Sequence, residues 1–260
     1  MMRSARFLAL CAIVLGTSFA NAQVNVEDTI AKVKGSVVAV GTFERTRNPS
    51  FQFMGTGFAV GDGTLIATND HVLPATLDSA KREEIAILLP APPRDGKEQV
   101  QVRIAKAVAR DPVHDLALVR IEGQALQPLA IGDASSVREG REVRFTGFPI
   151  GAILGAIPAT HRATVAAITP IAIPQRRDAE LTAALIRRLQ TGTFPVFQLD
   201  GTAYPGNSGS PVYEAGSGAV IAIVNMVLVK ATKESMLAQP SGIAYAIPAQ
   251  HLRDLMATVR

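Results

Sequence analysis

The chain has 260 residues, 48% of them hydrophobic, with a formal net charge of +4. That is enough apolar material for one or two cored units and excludes a disordered or low-complexity class. No Lys/Arg run interleaved with aromatics occurs, which argues against nucleic acid as a partner. No HExxH or CxxC pattern is present and the histidines (His71, His114, His161, His251) are scattered, so neither a metal nor any other cofactor is expected.

Residues 1–22 read as a secretory signal peptide. Arg3 and Arg6 form the positive start, Phe7 to Leu15 the apolar stretch, and Ala20-Asn21-Ala22 the small-x-small cleavage site. The apolar stretch is too short to span a bilayer. Cleavage after Ala22 removes Cys11, the one cysteine, and leaves 24 basic against 22 acidic residues. The mature chain is then close to neutral and free of disulfides, and it relies on its core for stability. Leu10 precedes Cys11 with little apolar sequence before it, which disfavours a lipoprotein site. The expected location is the bacterial periplasm or the outside of the cell, with no stable membrane anchor.

Glycine and proline then punctuate short β-branched runs. Residues 36–42, 57–60, 64–68, 85–89, 100–109 and 116–121 read as strands in the first half. Asp62-Gly63 and Asp95-Gly96 are turn signals between runs. The stretch 75–93, near His71, reads as a solvated loop insertion. The second half repeats the style at 142–147, 160–168, 196–199, 211–213, 219–229 and 243–247. About six strands per half predict an all-β chain of two six-stranded antiparallel barrels. The domains are then 23–128 and 129–260, with 124–133 as the crossover. A segment at 175–190 reads as a helix, with Leu181, Leu185 and Leu189 in one stripe and arginines around it. It fits an insertion packed on the barrel, a cover over a cleft, a trimer contact or a membrane-surface helix. Residues 248–259 carry Leu252, Leu255, Met256 and Val259 at helical spacing, which predicts a C-terminal helix packed on the second barrel.

The most informative stretch is Pro205-Gly206-Asn207-Ser208-Gly209-Ser210-Pro211. It presents a serine in a tight glycine turn, with backbone N–H groups able to point at one small volume. Taken alone, such a stretch is an ordinary surface turn. A nucleophilic serine needs a base, and the base an orienting group. The chain offers His71, after the run Leu65-Ile66-Ala67-Thr68, and Asp115, before Leu116-Ala117-Leu118-Val119. The order His, Asp, Ser, each beside a strand-like run, is one arrangement of the hydrolytic triad. His114 is a rival base. Alternation along a strand would turn it away from Asp115's side, so His71 is preferred. The α/β-hydrolase elbow is excluded, because Ser210 and Pro211 with a β-like run follow the serine where that class has glycine and a helix.

With those residues in hand, the chain resembles the chymotrypsin-fold (trypsin-like) serine proteases. It is most similar to the bacterial branch of HtrA/Deg protease domains and V8-type endopeptidases, without a PDZ domain in the residues given. The resemblance rests on Gly55-Thr56-Gly57-Phe58-Ala59-Val60, Ala67-Thr68-Asn69-Asp70-His71-Val72, Asp111 to Val119, Gly147-Phe148-Pro149, Gly206 to Pro211, and Gly242 to Pro248. It implies a serine endopeptidase that hydrolyses peptide bonds through Ser208, His71 and Asp115. It also implies an oxyanion hole on Gly206, Asn207 and Ser208, with the N–H groups of Gly206 and Ser208 as donors. Asn207 stands where digestive relatives have an aspartate that pairs with a newly cut N-terminus, so activation of that type is not expected. Thr202 becomes the floor of the substrate pocket, with Val224, Asn225, Met226 and Ile243 as its walls. None of these is acidic or a histidine, which favours a small or medium apolar side chain over Lys, Arg or Glu before the cleaved bond. The partners are polypeptide substrates, and a homo-oligomer is left open. The alternative is a degenerate family member that binds peptides without cleaving them.

Overall fold

The computed structural model describes residues 25–94, 97–151, 157–171, 193–225 and 242–259. The expected signal peptide, the 175–190 segment, Asp95-Gly96 and Met226 therefore lie outside the described residues. Strands β1 (Val37–Phe43), β2 (Phe51–Val60), β3 (Leu65–Thr68), β4 (Glu84–Arg94), β5 (Lys97–Asp111) and β6 (Leu116–Ile121) close into one barrel in the order β1-β2-β3-β6-β5-β4. Strands β7 (Glu142–Gly147), β8 (Ala159–Ile171), β9 (Phe194–Asp200), β10 (Pro211–Tyr213), β11 (Val220–Asn225) and β12 (Ile243–Pro248) close into a second, in the order β10-β11-β12-β9-β8-β7. All pairings within both barrels are antiparallel. Closure gives every strand a neighbour on both sides within its barrel. The fold class is the expected one, all-β with two six-stranded barrels.

Period-2 alternation explains how one strand can serve two cores. In β6, Ala117, Val119 and Ile121 fill the first barrel, while Leu116 and Leu118 turn to a seam packed by both barrels. β1 divides the same way, with Val38 and Val40 inside and Val37 and Ala39 on the seam. From the other side Tyr213, Val220, Ile223 and Ile247 enter that seam. The C-terminal helix, α2 (Ala249–Ala257), adds Leu252 and Leu255 to it. The expected terminal helix is thus present, and it packs at the junction of the barrels rather than on the second alone.

The crossover is tied to both halves. Leu129 N–H donates to Ala59 O at 2.9 Å, and Gly132 N–H and Val220 N–H exchange bonds with Val220 O (2.7 Å) and Ala130 O (2.8 Å). The strand read at 85–89 is longer than expected and takes up the second half of the 75–93 stretch: β4 runs Glu84–Arg94, paired with β1 up to Leu88 and with β5 from Ile85 onward. Past Leu88 it runs on with β5 as a two-stranded arm, where an N–H missing at proline is tolerated. A helix not read from sequence, α1 (Val26–Lys34), precedes β1. The Asn25 side chain caps it by accepting from Glu27 N–H at 3.0 Å.

Candidate active site

His71 follows β3 in a single 3-10 turn, Asp70–Val72. Arg110 of β5 pins that turn: its guanidinium pairs with the Asp70 carboxylate and donates to Asp70 O (3.1 Å) and Pro74 O (3.3 Å). Asp115 ends the β5–β6 turn with φ +52°, a left-handed conformation that aspartate tolerates better than most residues. The Asn69 amide donates to Asp115 O at 2.9 Å and holds this backbone against the histidine turn.

Ser208 lies between Gly206 (φ +102°) and Gly209 (φ +86°). Both glycines are obligatory. Besides the positive φ, a Cβ at 206 would collide with the Phe148 carbonyl and a Cβ at 209 with the Thr56 carbonyl. The loop is bound to the first barrel through Thr56 of β2. Thr56 N–H donates to Ser208 O (2.8 Å), and Thr56 Oγ1 donates to Gly206 O (2.7 Å) and accepts from Phe148 N–H (3.1 Å). The Phe53 ring lies against the Gly206 backbone, 3.0 Å from where a Cβ would stand.

These elements bring three side chains together across the seam. His71 Nε2 is 2.9 Å from Ser208 Oγ, and His71 Nδ1 is 2.6 Å from Asp115 Oδ2. The other carboxylate oxygen, Oδ1, accepts the His71 backbone N–H at 2.8 Å. The Asp115 side chain is 7% exposed, against 21% for His71. A buried carboxylate bonded to Nδ1 fixes the tautomer with the proton there and leaves Nε2 as the acceptor facing the hydroxyl. This arrangement can withdraw a proton from an alcohol as it attacks an electrophile.

Asn225, expected as a pocket wall, has another place. It is wholly buried at the end of β11 and donates from Nδ2 to Asp115 Oδ2 at 2.6 Å. It is the second-barrel donor to the first-barrel acid, and it follows from neither composition nor spacing. Val224 also departs from the expectation. Its side chain packs in the second-barrel core, and its backbone pairs with the serine loop through Gly209 N–H (3.0 Å) and Ser210 O (2.9 Å). Thr202 and Ile243 lie at the neighbouring ends of β9 and β12, joined by Gly201 N–H to Gly242 O at 3.0 Å. Thr202 is half-buried and Ile243 is 42% exposed, so these two keep accessible surface.

Of the three expected oxyanion amides, Asn207 N–H is turned back onto Tyr204 O at 2.9 Å. The N–H groups of Gly206 and Ser208 have no acceptor among the described residues. The Asn207 side chain is fully buried, and among the described residues neither of its polar atoms has a hydrogen-bond partner. His114 faces away from the serine, as expected, but for a different reason. Residues 112–115 form a turn, not a strand, and the ring bonds to Asp111 Oδ2 at 2.6 Å. His161 stacks on Phe145 at 4.8 Å, and burial pushes its imidazole below the ordinary range. Among the described residues no group of three or more His, Cys, Asp or Glu could hold a metal, and no helix is long and apolar enough to cross a membrane.

The family model for the trypsin-like peptidase domain matches residues 55–223. The chain belongs to that family. Among curated proteins it is similar to a probable periplasmic serine endoprotease, DegP-like, of Pseudomonas putida strain GB-1. The two are 27% identical over 203 residues, 78% of this chain and 34% of that protein. A DegP-like protein of Halomonas elongata is 26% identical over 207 residues, 80% of this chain and 35% of its own length. The chain thus spans about a third of the length of these relatives. Among solved structures, the HtrA-type protease AlgW with a decapeptide superposes with a TM-score of 0.61. The two are 20% identical, with 90% of this chain and 67% of that one covered.

Proposed function

We propose that this chain is an exported serine endopeptidase that cleaves polypeptides through Ser208, His71 and Asp115 by way of an acyl-enzyme. The observation that carries the reading is the bridging imidazole, 2.9 Å from Ser208 Oγ and 2.6 Å from Asp115 Oδ2. Ser208 Oγ attacks the peptide carbonyl while His71 Nε2 takes its proton. His71 then returns that proton to the leaving amine, and water repeats the sequence to release the acyl group. Asp115 stabilises the imidazolium, held in turn by Asn225 and by the His71 backbone N–H. The free N–H groups of Gly206 and Ser208 receive the oxyanion.

Residues 1–22 direct export to the periplasm or beyond, and the working units are 23–128 and 129–260. Thr202 and Ile243 supply an uncharged substrate pocket, which favours a small or medium apolar residue before the cleaved bond. A peptide-library profile dominated by Arg, Lys or Glu there would refute that preference. The reading itself is tested with a fluorophosphonate probe. Wild-type protein is expected to be labelled and Ser208→Ala not. Absence of labelling in folded wild type would leave only the peptide-binding alternative.

A further inference from the structure

The turn that delivers Asp115 is held by residues outside the triad. Asp111 ends β5 and folds the chain back: Oδ1 accepts from Val113 N–H (3.0 Å) and His114 N–H (3.2 Å), and Oδ2 accepts from His114 Nδ1 at 2.6 Å. The His114 ring lies flat on the ring of His251 in α2, with centroids 3.8 Å apart and planes 16° apart. Phe194 of β9 stands edge-on to both, at 4.7 Å from His114 and 5.1 Å from His251. His114 is the residue immediately before Asp115, whose backbone is left-handed. Such a conformation persists only where its surroundings over-determine it.

We propose that His251 and Phe194 are positioning residues for Asp115, acting through His114, so that the terminal helix and β9 of the second barrel fix the acid beneath His71. The proposal rests on the reading of Asp115 as the triad acid. The second barrel and the terminal helix thereby hold the first-barrel turn at two places: Asn225 bonds the Asp115 carboxylate, and the ring stack holds the residue before it.

The clamp has a titratable face. A proton on His251 places a cation flat against the His114 ring, 3.8 Å away between centroids. Burial holds His251 below the ordinary imidazole range; the charge of His114 adds to that, and Asp254 and Asp111 oppose it. Among the described residues the charged groups acting on His251 besides its stacking partner are Asp111 from the β5–β6 turn and Asp254 from α2, while β9 contributes the uncharged Phe194. Acid forces a proton onto His251 and drives the rings apart. The first element displaced is His114, and with it Asp115. Part of the acid limb of activity then belongs to a residue that never touches substrate.

The test uses the full chain, with His251→Ala to remove the stack and His251→Phe to keep a ring that cannot titrate. The kinetics of a fluorogenic apolar-P1 peptide are followed from about pH 5 to about pH 8, where imidazoles change charge. His251→Ala is expected to lower kcat about tenfold or more at neutral pH through a displaced acid, with KM within about twofold. His251→Phe is expected to restore kcat and to move the acid limb to lower pH. Wild-type kcat and an unshifted profile in His251→Ala would sink the proposal, as would a His251→Phe variant as slow as the alanine one. Should the alanine variant fail to fold, the profile of His251→Phe decides, and an unmoved acid limb counts against the clamp. Should wild type take neither peptide nor fluorophosphonate, the triad reading fails separately. The clamp is then read from the low-field proton resonance of His71 Nδ1–H. Its loss in His251→Ala, with retention in His251→Phe, supports the clamp, and equal signals in all three proteins refute it.

Discussion

Thr56 offers the sharpest test of how the serine loop is held. Its side chain is wholly buried, and its one hydroxyl serves two backbone groups: Gly206 O at 2.7 Å and Phe148 N–H at 3.1 Å. Valine has nearly the same shape but satisfies neither. Each buried group left unpaired costs about 1–3 kcal/mol. The extra buried methyl of valine returns about 0.8 kcal/mol. A net destabilisation of about 1–5 kcal/mol is therefore expected, seen as a lower urea midpoint at unchanged slope. The damage falls on Gly206, whose amide, like that of Ser208, has no acceptor among the described residues. Fluorophosphonate labelling should slow by about 10²-fold, the scale for losing one oxyanion donor. Thr56→Ser keeps the oxygen and should label at nearly the wild-type rate. If Thr56→Val stays within about 0.5 kcal/mol of wild type, the ordinary range for an inconsequential change, and labels equally fast, the hydroxyl is not what holds the loop.

Asn225→Leu removes a hydrogen bond to a charged group worth about 1.5–3 kcal/mol and should depress kcat about tenfold or more, with KM little moved; steady-state kinetics on a peptide substrate will tell. Gly209→Ala places a methyl on the Thr56 carbonyl at positive φ and is expected to give little folded protein, readable as loss of the cooperative melting transition. The pH dependence of folding carries a signature of His161. Its folded pKa is depressed by burial, whereas the unfolded chain takes up a proton near the usual value of about 6.5. Stability is therefore complete above that pH and is lost as pH falls below it. His161→Phe, which keeps the stack on Phe145, should flatten that acid slope in urea titrations; an unchanged slope would show that His161 does not contribute.

Strands were legible where β-branched runs ended at turn residues. β6, β7 and β10 have the boundaries their sequences announce, because apolar or alternating runs in each end at turn or polar residues. β2 begins earlier, at Phe51, than its glycine-rich end suggests, since Phe51–Phe53 pairs with β1 and the barrel supplies what local pattern lacks. β4 was read only to Leu89, and its extension to Arg94 is set by pairing with β5 rather than by local pattern. At the site, the loop chemistry of His71, Asp115 and Ser208 was visible as motif. Their supports were not. Thr56, Asn225 and His251 act through contacts with residues remote in the chain, and no periodicity encodes which polar group meets which carboxylate. Met226 and the 175–190 segment lie outside the described residues.

The seam core has one more implication. Leu116 and Leu118 of one barrel and Tyr213, Val220 and Ile223 of the other pack in the same cluster, and Leu129, within the crossover, packs there with them. The two halves are thus married rather than merely adjacent. Grafting either half onto a cousin would mismatch apolar surfaces long before it touched a reacting atom, so chimaeras must carry the joint with them.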